Sequence, residues 1–131
     1  MEKLKTRQKL NDDGTPKKKT TRESSTDQEK QIAKSLKAKR TSNSGATFFG
    51  KGGDLIKDDW TIEAKTCQSH KKSFSIKKEW IEKLRFESLH NGTKHNALAF
   101  QFGPDEENFY IIDENTFNSL FLDWFLFHIL L

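Results

Sequence analysis

The sequence lacks the features that define disulfide-rich and nucleotide-binding proteins. Its one cysteine, Cys67, cannot form an internal disulfide or a zinc site by itself. No phosphate loop of the Gly-x4-Gly-Lys-Ser/Thr type and no dinucleotide-binding fingerprint is present. A signal-type N-terminus is also missing. We therefore expect an intracellular protein of a reducing compartment, the cytoplasm.

Apolar side chains are scarce and make up only 33% of the sequence. The length of 131 residues leaves room for one small domain. The deficit is concentrated in residues 1–26, where too few large apolar groups occur to build a core. We predict a flexible basic arm over these residues. Its cations Lys17, Lys18, Lys19 and Arg22 would either contact nucleic-acid phosphates or remain solvated without a partner.

Positive charge is also unevenly distributed. The first 40 residues contain 13 Lys or Arg and 6 Asp or Glu, an excess of +7, whereas the whole chain carries +4. The remainder is therefore slightly acidic. A partner with a phosphate backbone fits this asymmetry better than an acidic protein does.

Two carboxylates are predicted to face each other across a β-hairpin. A turn centred between Asp58 and Asp59 would place Asp54 directly opposite Glu63, with Cβ atoms about 4.5–5.5 Å apart. Like charges at that separation repel, and a divalent cation would compensate them. The alternative is an ordinary solvated strand face, on which charged residues are common.

Lys65 lies two residues beyond Glu63 and should project from the same face of the strand. Ile62 and Ala64 would then point into the core. The glycines that precede Asp54 favour a tight backbone approach, because glycine is costly inside a strand unless the geometry requires it.

The remaining pattern predicts a mixed α/β fold. We expect helices over Gln28–Lys39, capped by Asp27, and over Ile76–His90, capped by Ser75 and ended by Asn91-Gly92, with strands at Thr47–Phe49, Asn96–Phe102 and Phe109–Ile112. On the second helix, Ile76, Trp80, Ile81, Leu84 and Leu89 should form the buried side.

The order of these motifs resembles the PD-(D/E)XK nuclease superfamily. It comprises a helix carrying Glu29, then Ser44-Gly45-Ala46, Lys51-Gly52-Gly53-Asp54, Glu63-Ala64-Lys65, and Ser75 with the helix that follows. Phage-type and archaeal-type Holliday junction resolvases are the nearest resemblance, which covers residues 27–118. The chain departs from the pattern by having Gly53 where the family has proline, and by an inserted glycine after Lys51.

This resemblance implies a restriction-endonuclease-like core over residues 27–115, with a central mixed sheet of about five strands flanked by helices. It also implies that Asp54 and Glu63 bind Mg²⁺, with Mn²⁺ as a substitute, and that Lys65 orients or helps activate water. Glu29 would be the third carboxylate and catalytic residue, unless it is only a helix-start glutamate favoured by the helix dipole.

Residues predicted to contact DNA surround this centre: Arg40, Ser44, Lys51, Lys77 and Lys78. For Ser44 the alternative is a turn serine, and for the helix lysines it is the solvated side of the helix.

The C-terminal segment, residues 116–131, is apolar on almost every side and should be helical. From Phe117 onward it is too short to cross a bilayer comfortably, since about 20 residues are needed. It also lacks the Lys/Arg face of membrane-surface helices. A homodimer interface is the predicted role, with no membrane contact.

The expected function is metal-dependent hydrolysis of phosphodiester bonds in branched DNA, with a homodimer that cuts a four-way junction. The same core could instead cut duplexes, mismatches or single strands. A noncatalytic DNA-binding protein on the same scaffold is the alternative outside enzymes.

Overall fold

The computed structural model describes residues 9–41 and 52–130. The described elements are α1 (Thr21–Leu36), β1 (Lys39–Arg40), β2 (Leu55–Lys57), β3 (Trp60–Lys65), α2 (Lys78–Asn91), β4 (His95–Phe100), β5 (Phe109–Ile111) and α3 (Glu114–Leu130). The strand predicted at Thr47–Phe49 lies outside the described residues.

The five strands form one sheet in the order β1-β2-β3-β4-β5. Neighbouring strands are antiparallel except β3 and β4, which are parallel and connected through α2. The predicted mixed α/β class with a sheet of about five strands is therefore confirmed. The parallel pair needs the long crossover that α2 provides, since a short hairpin can join only antiparallel strands. The prediction that the first helix extends to Lys39 is wrong, because the helix ends at Leu36 and Lys39 lies in β1.

The hairpin β2–β3 has the predicted register. Ile56 lies opposite Thr61 and Leu55 opposite Ile62. Its turn contains Asp58 with a φ of 47°, a left-handed conformation that aspartate adopts more readily than most residues. The turn is fixed to β4 because Asp59 accepts a hydrogen bond of 2.7 Å from the amide of Lys94.

Helix α1 begins at Thr21, seven residues before the predicted helix. Its N-cap is Thr20, whose hydroxyl accepts from the amide of Glu23, and the Glu23 carboxylate accepts from the amide of Thr20 in return. The prediction of Asp27 as the N-cap is therefore wrong, and the helix starts inside the segment assigned to the basic arm. Asp27 instead forms an ion pair with Lys19, with Oδ2 2.7 Å from Lys19 Nζ.

One face of the sheet packs against α1. Its core consists of Ile32 from the helix and Leu55, Ile62, Ala64 and Ala99 from the strands, all buried. The prediction that Ile62 and Ala64 point into the core is confirmed. The side chains of Glu63 and Lys65 must lie on the opposite face, because neighbours along a strand alternate.

Helix α2 covers that opposite face. It begins at Lys78 after Lys77 and has no side-chain cap, so the prediction of Ser75 as its cap is wrong. It ends as predicted at Gly92, which has a φ of 72°. Leu89 is 81% exposed, contrary to prediction, because the buried stripe is Leu84, Glu87 and Ser88.

Helix α3 is apolar and exposed. Nine of its large apolar side chains are between 41% and 63% exposed: Phe117, Leu120, Phe121, Leu122, Trp124, Phe125, Leu126, Phe127 and Ile129. Within the part of the chain that the structure describes, no helix is both long and apolar enough to cross a membrane.

Candidate active site

Asp54 is hydrogen-bonded to the residues on both sides of Glu63. Its backbone amide donates to the carbonyl of Ile62 at 3.0 Å, and its side-chain Oδ2 accepts from the amide of Ala64 at 2.8 Å. The side chain thus continues the ladder beyond the last paired residue of β2. This arrangement holds Asp54 against Glu63, and both residues are only 7% exposed.

The backbone conformation before Asp54 requires glycine. Gly53 has a φ of 77°, and a Cβ atom there would come within 2.6 Å of the Thr61 side chain. Proline is locked near a φ of −65° and cannot adopt this conformation. A proline at position 53 would therefore not fit the backbone path that leads into the carboxylate pair.

Burial raises the pKa of Asp54 to about 7, and the negative charge of Glu63 adds to this increase. The hydrogen bond from Ala64 opposes it, while the charge of Glu29 contributes a further increase and that of Lys65 a decrease. Asp54 is therefore a buried carboxyl whose charged form is disfavoured by burial and by the neighbouring charge of Glu63.

Lys65 supplies a positive charge beside this pair. Its Nζ atom lies 3.0 Å from Glu63 Oε1, as expected for residues on one face of β3. The same Nζ atom lies 5.0 Å from the ring centroid of Trp80 at the start of α2. The ammonium is therefore held between a carboxylate and an aromatic ring.

The structure brings Glu29 near enough to influence Asp54 but also gives it another partner. Arg40 donates to Glu29 Oε2 from Nε at 3.1 Å and from Nη2 at 2.8 Å. Among residues 9–41 and 52–130, no three His, Cys, Asp or Glu side chains are grouped so that they could hold a metal ion. In this conformation the close donor set is the pair Asp54 and Glu63.

That pair fits Mg²⁺. Magnesium is commonly held by one or two carboxylates, with water and substrate phosphate oxygens as its other ligands. The raised pKa of Asp54 shows that its charge is insufficiently compensated by the protein. A bound divalent cation would supply this compensation and favour the ionised form of Asp54.

The residues predicted to contact DNA are not all exposed near the carboxylate pair. Ser44 and Lys51 lie outside the described residues. Lys77 and Lys78 are exposed at the start of α2, where Lys77 Nζ lies 5.6 Å from the Trp80 ring centroid. Arg40 is engaged with Glu29 rather than projecting freely.

The end of α2 is hydrogen-bonded to Gly52, which lies two residues before Asp54. These contacts were not predicted from the sequence. The Asn91 side chain accepts from the amide of Gly52 at 2.9 Å and donates to its carbonyl at 2.8 Å. The same Nδ2 lies 3.1 Å from the hydroxyl of Thr61. No local sequence signal indicates these contacts, because Asn91 and Gly52 are 39 residues apart.

Glu87 was also missed, because a polar residue adds nothing to the apolar periodicity of the helix. It lies three residues after Leu84 and is buried beside Gly52, with Oε1 3.4 Å from Lys83 Nζ. Its Oε2 atom has no hydrogen-bond partner within the described part of the chain.

Comparisons of the chain with protein-family models, with curated proteins and with solved structures found no match.

Proposed function

We propose that this protein is a metal-dependent DNA endonuclease that hydrolyses phosphodiester bonds. The observation that carries the proposal is the double hydrogen bonding of Asp54 around Glu63, with Lys65 Nζ 3.0 Å from the Glu63 carboxylate. The arrangement places two buried acids and one cation at a single position, which is the composition that hydrolysis of a phosphodiester needs.

Each residue has a role in this proposal. Asp54 and Glu63 would hold Mg²⁺, and Glu29 would join them when Arg40 releases it. When bound, the metal supplies charge stabilisation at the phosphate and lowers the pKa of water. Lys65 forms an ion pair with Glu63. Its ammonium N–H groups would orient the attacking water and offset charge on the scissile phosphate.

The proposed substrate is a four-way DNA junction. This assignment rests on the resemblance to Holliday junction resolvases. It is supported by the order of elements along the chain, in which α1 carries Glu29, the β2–β3 hairpin follows with Asp54 before β2 and Glu63 and Lys65 in β3, and α2 comes next. A junction has two strands to cut, which requires two active sites related by symmetry.

A homodimer through α3 would provide those two sites. A half-exposed large apolar side chain leaves roughly 100 Å² in contact with water. The nine exposed residues of α3 therefore leave roughly 900 Å², about the 800 Å² that each partner contributes to a stable interface. The second copy is the proposed occupant, because a helix that is apolar on all sides requires burial.

A noncatalytic DNA-binding protein is the second candidate. It is favoured by the ion pair of Glu29 with Arg40, which leaves two close carboxylates rather than three among the described residues. Such a protein would bind branched DNA and leave it uncut.

The decisive experiment incubates labelled four-way junctions and matched linear duplexes with the protein in Mg²⁺ or EDTA. We expect cutting of the junction in Mg²⁺ alone, and its loss in Glu63→Gln. The control is Glu82→Gln, which removes an exposed carboxylate from α2 and should leave cutting unchanged.

Two outcomes would reject parts of the proposal. Binding without any metal-dependent cutting favours the noncatalytic candidate. Equal cutting of junction and duplex rejects the junction as the specific substrate.

A further inference from the structure

Five aromatic rings form a continuous row on the sheet face that carries Glu63 and Lys65. The row starts at Trp80 and ends in a group of three rings that contact one another, Phe100 on β4, Phe109 on the edge strand β5, and Phe102 between these strands. Successive ring centroids are 6.3 Å apart for Trp80 and Phe74, 5.5 Å for Phe74 and Phe100, 5.6 Å for Phe100 and Phe109, and 5.7 Å for Phe109 and Phe102. We call these five residues the aromatic row.

Lysines lie at both ends of the aromatic row. At one end, the Nζ atoms of Lys65 and Lys77 lie 5.0 and 5.6 Å from the Trp80 ring centroid. At the other end, the amide of Lys71 donates to the carbonyl of Phe102 at 2.8 Å. The row therefore connects the candidate active site to a second basic position.

The loop between β3 and α2 is strongly basic. Residues 65–78 contain five lysines and no aspartate or glutamate. Lys71 and Lys72 are exposed there, and the same loop contributes Phe74 to the aromatic row. A surface that combines solvated cations with aromatic rings is complementary to the phosphates and bases of a nucleic-acid strand.

Phe109 is the most accessible ring of the row. It is 42% exposed, although it packs on Phe100 with an interplanar angle of 28°. Its position on an edge strand leaves it reachable by a ligand approaching from outside the sheet. A base could stack on this ring while the lysines of the loop contact the flanking phosphates.

We propose that the aromatic row binds an unpaired DNA strand and guides it toward Asp54, Glu63 and Lys65. The bases of a duplex are stacked inside the helix, whereas those of an unpaired strand can stack on Phe109. This inference rests on the proposed nuclease function and specifies its substrate class. Branched DNA with an unpaired strand binds more tightly than a fully paired junction.

Binding is measured by fluorescence anisotropy in EDTA with the Glu63→Gln protein, so that no cutting occurs. The probes are a thymidine 20-mer, a blunt duplex, a duplex with a single-stranded flap, and a fully paired junction. We expect the flap to bind more tightly than the blunt duplex, and Phe109→Leu to weaken binding of the flap and the 20-mer about tenfold or more.

Tyr110→Leu is the matched control for Phe109→Leu. Tyr110 is 43% exposed and lies on the same strand, but it is paired with Ala99 and therefore faces the other side of the sheet. Its replacement should leave binding unchanged. Lys71→Gln with Lys72→Gln should reduce the slope of log affinity against log salt for the 20-mer by about 1.4, the value for two lost phosphate contacts on a single strand.

Equal weakening by Phe109→Leu and Tyr110→Leu, in variants that keep the far-UV circular dichroism of the unsubstituted protein, would overturn the proposal, because binding would then not depend on the face that carries the aromatic row. Equal affinity for the flap and the blunt duplex would also overturn it. Tighter binding of a uridine 20-mer of RNA than of the DNA 20-mer would reject DNA as the ligand. The nuclease proposal is tested separately, since cutting by the unsubstituted protein does not enter this measurement.

Discussion

The side chain of Asp54 accepts a hydrogen bond of 2.8 Å from the backbone amide of Ala64. A carboxylate placed against Glu63 would otherwise tend to rotate away from the like charge. The bond fixes its orientation, yet it does not prevent the increase in the Asp54 pKa. The hydrogen bond from Ala64 therefore favours the charged form of Asp54, whereas burial and the charge of Glu63 disfavour it.

Asp54→Asn should stabilise the metal-free protein at neutral pH. The pKa of Asp54 is about 7 in the folded protein and 3.8 in the reference state. The folded protein thus binds more protons between these values, so the stability that Asp54 contributes is present below pH 4 and lost as the pH rises to 7. A shift of about three units corresponds to a few kcal/mol at most.

The measurement is the free energy of unfolding by urea in EDTA from pH 4 to pH 8. The Asp54→Asn protein should show a smaller decline over this range and be more stable than the unsubstituted protein at pH 7.5. Asp12→Asn, a change at an exposed carboxylate, serves as the control. A parallel decline in the unsubstituted and Asp54→Asn proteins would contradict the expected titration.

Lys65→Met should reduce the rate of cutting at least a hundredfold, since it removes the charge that offsets the phosphate. The methionine retains much of the apolar contact with Trp80, so the fold should be preserved. Rates are measured under single-turnover conditions with junction DNA and Mg²⁺. Lys34→Met on the exposed side of α1 provides the control, and unchanged cutting by Lys65→Met would exclude Lys65 from catalysis.

Asn91→Ala should destabilise the backbone that leads into the candidate active site. It removes both hydrogen bonds to Gly52, at a cost of about 1–3 kcal/mol in the free energy of unfolding. Because Gly52 and Gly53 lead into Asp54, the Mg²⁺ concentration for half-maximal cutting should also rise. His90→Ala is the neighbouring control. A loss of stability with an unchanged Mg²⁺ requirement would show that Asn91 has no positioning role.

Charges placed on α3 should convert the proposed homodimer to a monomer. Phe121→Lys with Trp124→Lys puts two cations into the exposed apolar surface, where their burial in an interface would be costly. Sedimentation velocity should show a dimer for the unsubstituted protein and a monomer for the variant. Asn118→Lys, an exposed polar position on the same helix, should remain dimeric. A monomeric unsubstituted protein would reject the interface.

The parts of the fold that are local in sequence could be predicted. The register of β2 and β3 follows from a short turn and alternating side chains, and Gly92 marks the end of α2 because glycine readily adopts a left-handed conformation. The start of α1 could not be predicted from apolar periodicity. Its buried positions Ser24, Gln28 and Ile32 have helical spacing, but the first two are polar.

The same limitation affected the prediction of the buried side of α2. There the stripe continues from Leu84 through Glu87 and Ser88, whereas the apolar Leu89 faces solvent. Within the candidate site, the opposed carboxylates and Lys65 could be placed from local spacing alone. The contacts of Asn91 with Gly52 and of Trp80 with Lys65 depend on how α2 docks, which no local pattern specifies.

The parallel pairing of β3 with β4 has a consequence for the order of folding. Asp54 and Glu63 are joined by a short hairpin, whose ends meet at a small cost in loop-closure entropy. The contact of Trp80 with Lys65 and the hydrogen bonds of Asn91 with Gly52 require the longer crossover through α2. Such non-local contacts form more slowly. We therefore expect the two acids to come together during folding before the groups that complete their surroundings.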